Sequence, residues 1–201
     1  MTFFKKISVG WVRDTSNVHD LIWRIPNENF PKISEIKEVI IKEHERGVLI
    51  SSGIIKFYLT PGKYSISRDI SEVVWIDVSP KTCPFGIPKS SNALITADGK
   101  NIGVSGTITL KIKSDESSVR LFLTKIVAGQ KNYSCDQLIN WLRHGVLTSV
   151  FHDIISRMRS DEFTRINRSE LNDKLLARLS EELINYGVEV SSIHMLGFAG
   201  I

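Results

Sequence analysis

The spacing of apolar residues changes at Ser114, and this change constrains the fold more than any other feature of the chain. Up to Lys113 the pattern is short runs alternating with a period of two and punctuated by turn residues, as antiparallel strands require. Beyond Ser114 the apolar residues recur at three and four, the period of a helix with one buried face. Val188 to Leu196 alternates again. Strands first, helices second and one final strand predict an α+β fold, in which an antiparallel or mixed sheet built as a meander is followed by about three helices packing on it and a closing strand.

The strand half begins with Gly10 to Arg13 and Leu21 to Ile25, which flank Asp-Thr-Ser-Asn and read as a hairpin. Lys37 to Glu43, Val48 to Ile50 and Ile54 to Leu59 follow, separated by Glu45-Arg46-Gly47 and Ser52-Gly53. Thr60-Pro61-Gly62 turns the chain into Tyr64 to Ser67. Glu72 to Val78 is the most β-prone run and predicts a central strand. Pro80, Pro84 and Pro88 force the next stretch to be extended or turned, because each ring removes a ladder donor. Ala93 to Ala97 and Ile102 to Lys113 predict two strands around the Asp98-Gly99 turn.

The helical half opens with Ser114, Asp115 and Glu116, a cap with first-turn acids, before Val119, Phe122, Leu123 and Ile126. Ser134 and Gln137 have capping-box spacing and begin a helix predicted to run to Met158. Its apolar stripe includes Leu138, Leu142, Leu147, Phe151 and Ile155. Asn167 with Glu170 opens a third helix, and Gly187 sits where a left-handed C-cap belongs. The expected division is an N-terminal strand or hairpin segment over 1–36, a main domain over 37–196 (β-rich over 37–113, helical over 114–186, closing strand over 188–196) and a tail over 197–201.

Composition narrows the function classes. The net charge of +4, about +3 in the first hundred residues and +1 in the rest, is no nucleic-acid footprint. Cys83 and Cys135 lack the partners for a zinc knuckle or a disulfide scaffold, so the plain reading is reduced, intracellular thiols. Cys135 follows the Ser134 cap, where a helix start favours a thiolate. The five histidines are scattered, and the two in one helix, His144 and His152, miss the i, i+4 spacing of a shared metal. There is no phosphate-binding glycine loop and no nucleophile elbow. Asp77 and Asp98 fall at strand ends or turns, where a carboxylate bonds its own backbone. Arg157, Arg159, Arg165 and Arg168 are offset by Asp161, Glu162, Glu170 and Asp173. No catalytic residue, metal ligand or cofactor site is therefore expected.

The N-terminus carries the one candidate contact region. Met1 to Trp11 has no apolar run of seven residues and no cleavage site, so it is not a secretory signal. Phe3, Phe4, Ile7 and Trp11 stand beside Lys5 and Lys6, a composition suited to an anionic headgroup region. The competing reading docks these aromatics on the chain's own domain.

Leu21-Ile22-Trp23-Arg24-Ile25-Pro26, Glu38 to Glu43, Gly47-Val48-Leu49, Pro61-Gly62-Lys63-Tyr64, Thr96-Ala97-Asp98-Gly99 and Thr107 to Ile112 together resemble the stomatin, prohibitin and flotillin (SPFH, or band 7) domain. More narrowly, the chain is similar to soluble SPFH proteins that begin with an Ile-Trp-x-x-Pro strand and often end in a zinc ribbon. The similarity runs from about Leu21 to Leu196 and includes Tyr186 to Val190. It implies a cytoplasmic, non-catalytic scaffold that assembles laterally, with other proteins or copies of itself as partners and peripheral membrane contact. The chain departs from the pattern by lacking a hydrophobic membrane hairpin, an Ala/Glu-rich coiled coil and a Cys-x-x-Cys, so weak self-association is expected. The alternative is a small-molecule or lipid-binding domain with a pocket between sheet and helices.

Overall fold

Val73 to Ile76 alternates between two cores. The structure, a computed structural model, describes residues 7–200 except positions 16, 17, 31 and 164. Strand β7 (Glu72–Asp77) lies in the middle of a five-stranded antiparallel sheet ordered β10 (Tyr133–Ser134), β2 (Asp20–Ile25), β7, β4 (Glu45–Ser51) and β5 (Ile54–Leu59). Val74 and Ile76 point into the main core with Ile22 and Val48. Val73 and Trp75 point the opposite way, into a second core with Val9, Trp11, Ile25, Val39 and Leu49. A strand buried on both faces has no polar side to show, which is why this run reads as continuously apolar.

A three-stranded sheet closes the second core. In it β3 (Ile36–Ile41) pairs in parallel with β1 (Ile7–Gly10) and antiparallel with β6 (Gly62–Ser65). The main core is shared with a third sheet, β8 (Lys81–Ile87), β9 (Gly103–Ile112) and β11 (Val188–Ala199), all antiparallel with β9 central. Four helices cover it: α1 (Glu116–Leu121), continued by a π-turn over Phe122–Val127, α2 (Cys135–His144), α3 (Val146–Ile155) and α4 (Arg168–Leu183). Phe151 of α3 packs on Phe85 of β8 with ring centres 5.6 Å apart.

The helix ends follow from local chemistry. Asp115, rather than Ser114, caps α1 by accepting from Ser118 N at 2.9 Å. Ser134 and Gln137 form the predicted capping box, with bonds of 3.3 and 2.9 Å. Asn167 caps α4 through Ser169 N. Gly187 takes φ +74 at the end of the helical region, as its position predicted.

The α+β class, the central β7 and the closing β11 agree with the sequence reading. Three local expectations are corrected. Gly10 to Arg13 and Leu21 to Ile25 do not form a hairpin: β1 joins β3, while β2 joins β7 and β10, because Val9 and Trp11 belong to the second core and Leu21 and Ile22 to the main one. Ala93 to Ala97 makes a single bridge, Ile95 to Asn101, although its Asp98-Gly99 turn is present with φ +77 at Gly99. The long helix is broken at Gly145, whose φ and ψ of −133° and −104° leave the helical region.

Candidate functional site

Two carboxylates lie opposite one another where β4 meets β7, at Glu45 and Asp77, and both are fully buried. Asp77 accepts from Arg13 Nη1 and Lys81 Nζ, each at 2.6 Å, and from Ser79 N at 2.8 Å and Ser79 Oγ at 2.6 Å. Burial raises its pKa, but the bonds from Lys81 and Ser79 and the charge of Arg13 outweigh it and hold the carboxyl below its ordinary value. Glu45 Oε2 accepts from Lys42 N at 3.0 Å, and Oε1 lies 3.6 Å from His44 Nε2. Lys42 Nζ reaches the Trp11 carbonyl, and the Arg13 guanidinium stacks 3.9 Å over the Trp11 ring. With four donors on Asp77, and Lys42 on the Trp11 carbonyl, this cluster clamps residues 11–13 to the sheet.

Asp98 is likewise structural, though not through its own backbone alone. It accepts from Ser160 N at 2.9 Å and Ser160 Oγ at 2.6 Å, tying the turn to the loop after α3. These bonds, with one from Thr96, hold its carboxyl far below the carboxylate range. Arg157 pairs with Asp153 and Arg159 with Asp161, while Arg168 Nη1 donates to the Leu196 carbonyl at 3.4 Å. All five histidines are exposed, and no group of three metal-ligating side chains is found among the described residues.

Cys83 of β8 and Cys135 at the start of α2 are both buried. A bond with the Cys83 side chain, and then burial, push the Cys135 thiol up. This direction opposes the thiolate that a helix start favours, in keeping with the absence of a catalytic residue among the expectations. The same bond draws the Cys83 thiol down.

Surfaces and clefts remain. A cleft of 790 Å³ opens among the helices, lined by Tyr133, Trp141, Val150 and Tyr186 with a polar margin that includes Gln137 and Glu182. Trp141 and Tyr186 meet edge to face at 4.8 Å. The cleft lies mainly between helices, with Tyr133 of β10 the contribution of the sheet. On the sheets, Ile54 and Phe57 of the outermost strand β5 are 60% and 53% exposed. Neither cleft nor strand was singled out from sequence, because an exposed apolar residue on an edge has the same pattern as a buried one.

Of the candidate membrane residues, Phe3, Phe4, Lys5 and Lys6 lie outside the described residues, and Ile7 is 38% exposed on β1. Trp11 is corrected: it is 1% exposed in the second core beneath Arg13, so it is not offered to a bilayer. No helix among the described residues is long and apolar enough to cross a membrane.

No curated protein matches the chain at a significant level. The profile of the SPFH domain / Band 7 family matches residues 39–197, from the middle of β3 to near the end of β11. That span takes in every strand of the third sheet and all four helices, so the chain belongs to the SPFH domain / Band 7 family.

Proposed function

We propose that this domain is a non-catalytic assembly and protein-interaction module with peripheral membrane contact. The observation that carries the reading is the exposure of Ile54 and Phe57 on the outer strand of the central sheet, in a chain of a family that is generally scaffold-type. At β5, β8 and β11 association runs through side chains rather than by adding strands, since these edges are blunted. Lys56 is a bulged residue on β5, Pro84 interrupts β8, and Ser191 and Leu196 are bulged out of β11. Arg120 Nη1 also covers the Ile55 carbonyl at 3.3 Å.

Light scattering over a concentration series tests this. The chain is expected to be monomeric at micromolar concentration and to associate above it, and Phe57→Glu is expected to abolish the association with its circular dichroism unchanged. Association that survives both Phe57→Glu and Ile54→Glu would overturn the assignment of this surface.

The Trp141 cleft supports a second reading as a ligand-binding domain. An apolar fluorescent probe that binds the wild type and not Trp141→Ala would favour it over assembly.

A further inference from the structure

We propose that the cleft among the helices binds a small organic cation, a free molecule carrying an alkylated ammonium group, against Trp141, Tyr186 and Glu182. This rests on the reading of the cleft as a ligand site and names the class of ligand. At 790 Å³ the cleft falls within the range of small-molecule sites, about 300–1,000 Å³. Trp141, near the end of α2, and Tyr186, in the turn after α4, are half-buried: both pack against the main core and both line the cleft. Their ring planes meet at 71° with centres 4.8 Å apart, so they form two walls of a corner. A flat apolar ligand stacks on one such wall, whereas a rounded ammonium group touches both and is attracted by the negative face of each ring. Tyr133 adds a third ring to the lining.

The charges around the corner select a cation. Among the described residues that line the cleft, Glu182 is the only one with a formal charge, counting His144 as neutral, and there is no Lys or Arg. Glu181 beside it is paired with Arg178 at 2.7 Å, whereas Glu182 has no ion-pair partner among the described residues. An anion entering here would meet a carboxylate and negative ring faces with nothing to offset them. The fold already places a cation on one of these rings: Lys125 Nζ, which donates to the Asn185 carbonyl at 3.0 Å, stands 5.5 Å from the centre of Tyr186. No cation stands over Trp141 among the described residues, and indole is the best of the aromatic faces for one. Alkyl groups on the nitrogen fit the site because they are apolar surface that the rings remove from water.

The test is ligand-observed NMR on the full chain with choline and with its neutral isostere, in which carbon replaces the charged nitrogen. Saturation transfer from the protein to the N-methyl protons is expected, with choline held at least about fivefold more tightly than the isostere. Glu182→Gln, at an exposed position, is expected to weaken choline about two- to fivefold and to leave the isostere unchanged. Trp141→Ala should abolish choline binding and Trp141→Phe should keep a weaker site. Equal affinity for choline and the isostere would overturn the proposal and leave the cleft a ligand site, as would an apolar fluorescent probe that binds where choline does not. No binding of choline, isostere or probe would overturn both. Choline binding that neither Glu182→Gln nor Trp141→Phe weakens would place it elsewhere on the domain and overturn the assignment. If Trp141→Ala fails to fold, Glu182→Gln decides. Flotation with phosphatidylcholine vesicles separates the two sources of such a group: none is expected, and capture that choline competes away would overturn a free molecule in favour of a lipid headgroup.

Discussion

At Asp77 the cost of burying a carboxylate is offset by the donors of Arg13, Lys81 and Ser79, and the balance leaves its pKa lowered. A carboxyl held lower in the folded than in the unfolded chain contributes stability that is fully present above the unfolded value, about 3.9, and is lost as pH falls through the folded one. Asp98 and Asp115, held low by bonds from Ser160 and Ser117, act in the same direction. Urea unfolding at pH 7 and at pH 3 is therefore expected to show a lower midpoint in acid, with a smaller difference in Asp77→Asn. An undiminished difference would remove Asp77 from the account. At neutral pH, Asp77→Ala should cost about 3 kcal/mol, because Arg13 and Lys81 are left without their partner. Gly187 gives a second test at this scale. Its φ is +74, and an added Cβ would lie 2.0 Å from the Ser118 carbonyl oxygen, whereas at Gly53, with φ +76, nothing lies within 4 Å. Gly187→Ala should cost more than about 2 kcal/mol and Gly53→Ala about 1 kcal/mol, the left-handed penalty alone. Equal costs in denaturant titrations would show that the close approach to Ser118 is relaxed away.

Among the elements, α2 and α3 roof the main core through Leu142 and Phe151, which are 0% and 1% exposed. Truncation of either to alanine should cost about 2–5 kcal/mol, whereas Arg143→Ala, which loses its bond to Asn140, should cost under about 1 kcal/mol. Equal losses in chemical denaturation would mean that the buried face is wrongly assigned. These faces were legible in the sequence because a helix repeats its burial every three or four residues, and the capping box at Ser134 marks its start. The break at Gly145 was not, since the apolar stripe continues across it from Leu142 to Leu147. Strand existence was similarly legible at Glu72 to Val78, but strand partners were not. Period two says that Val9 and Val39 are inward-facing; it does not say that β1 lies parallel to β3 across a gap of more than twenty residues. The clamp on Trp11 was hidden for the same reason. Arg13 meets Asp77 only after the sheets are assembled, and nothing local to either marks its partner.

For the whole molecule, the two cores set what the N-terminus has left to offer. Val9 and Trp11 are buried, and β1 is hydrogen-bonded along β3, so residues 7–11 belong to the fold, and of the candidate membrane residues within it only Ile7 is exposed. A deletion that tests membrane contact must therefore stop at residue 6; removing eleven residues would empty part of the second core and confound adsorption with unfolding. If residues 1–6 meet an anionic surface, Lys5 and Lys6 would contribute about 1 kcal/mol each and Phe3 and Phe4 would add burial at the interface. That total is small and is screened within about 10 Å at 0.1 M salt. The full chain is thus expected to float with strongly anionic liposomes at low ionic strength, to be released by added salt and to stay unbound on neutral ones, and the form lacking residues 1–6 should not float at all. Equal flotation of the two forms would place the contact elsewhere on the domain, and no flotation of either would leave protein partners as the whole of its interactions.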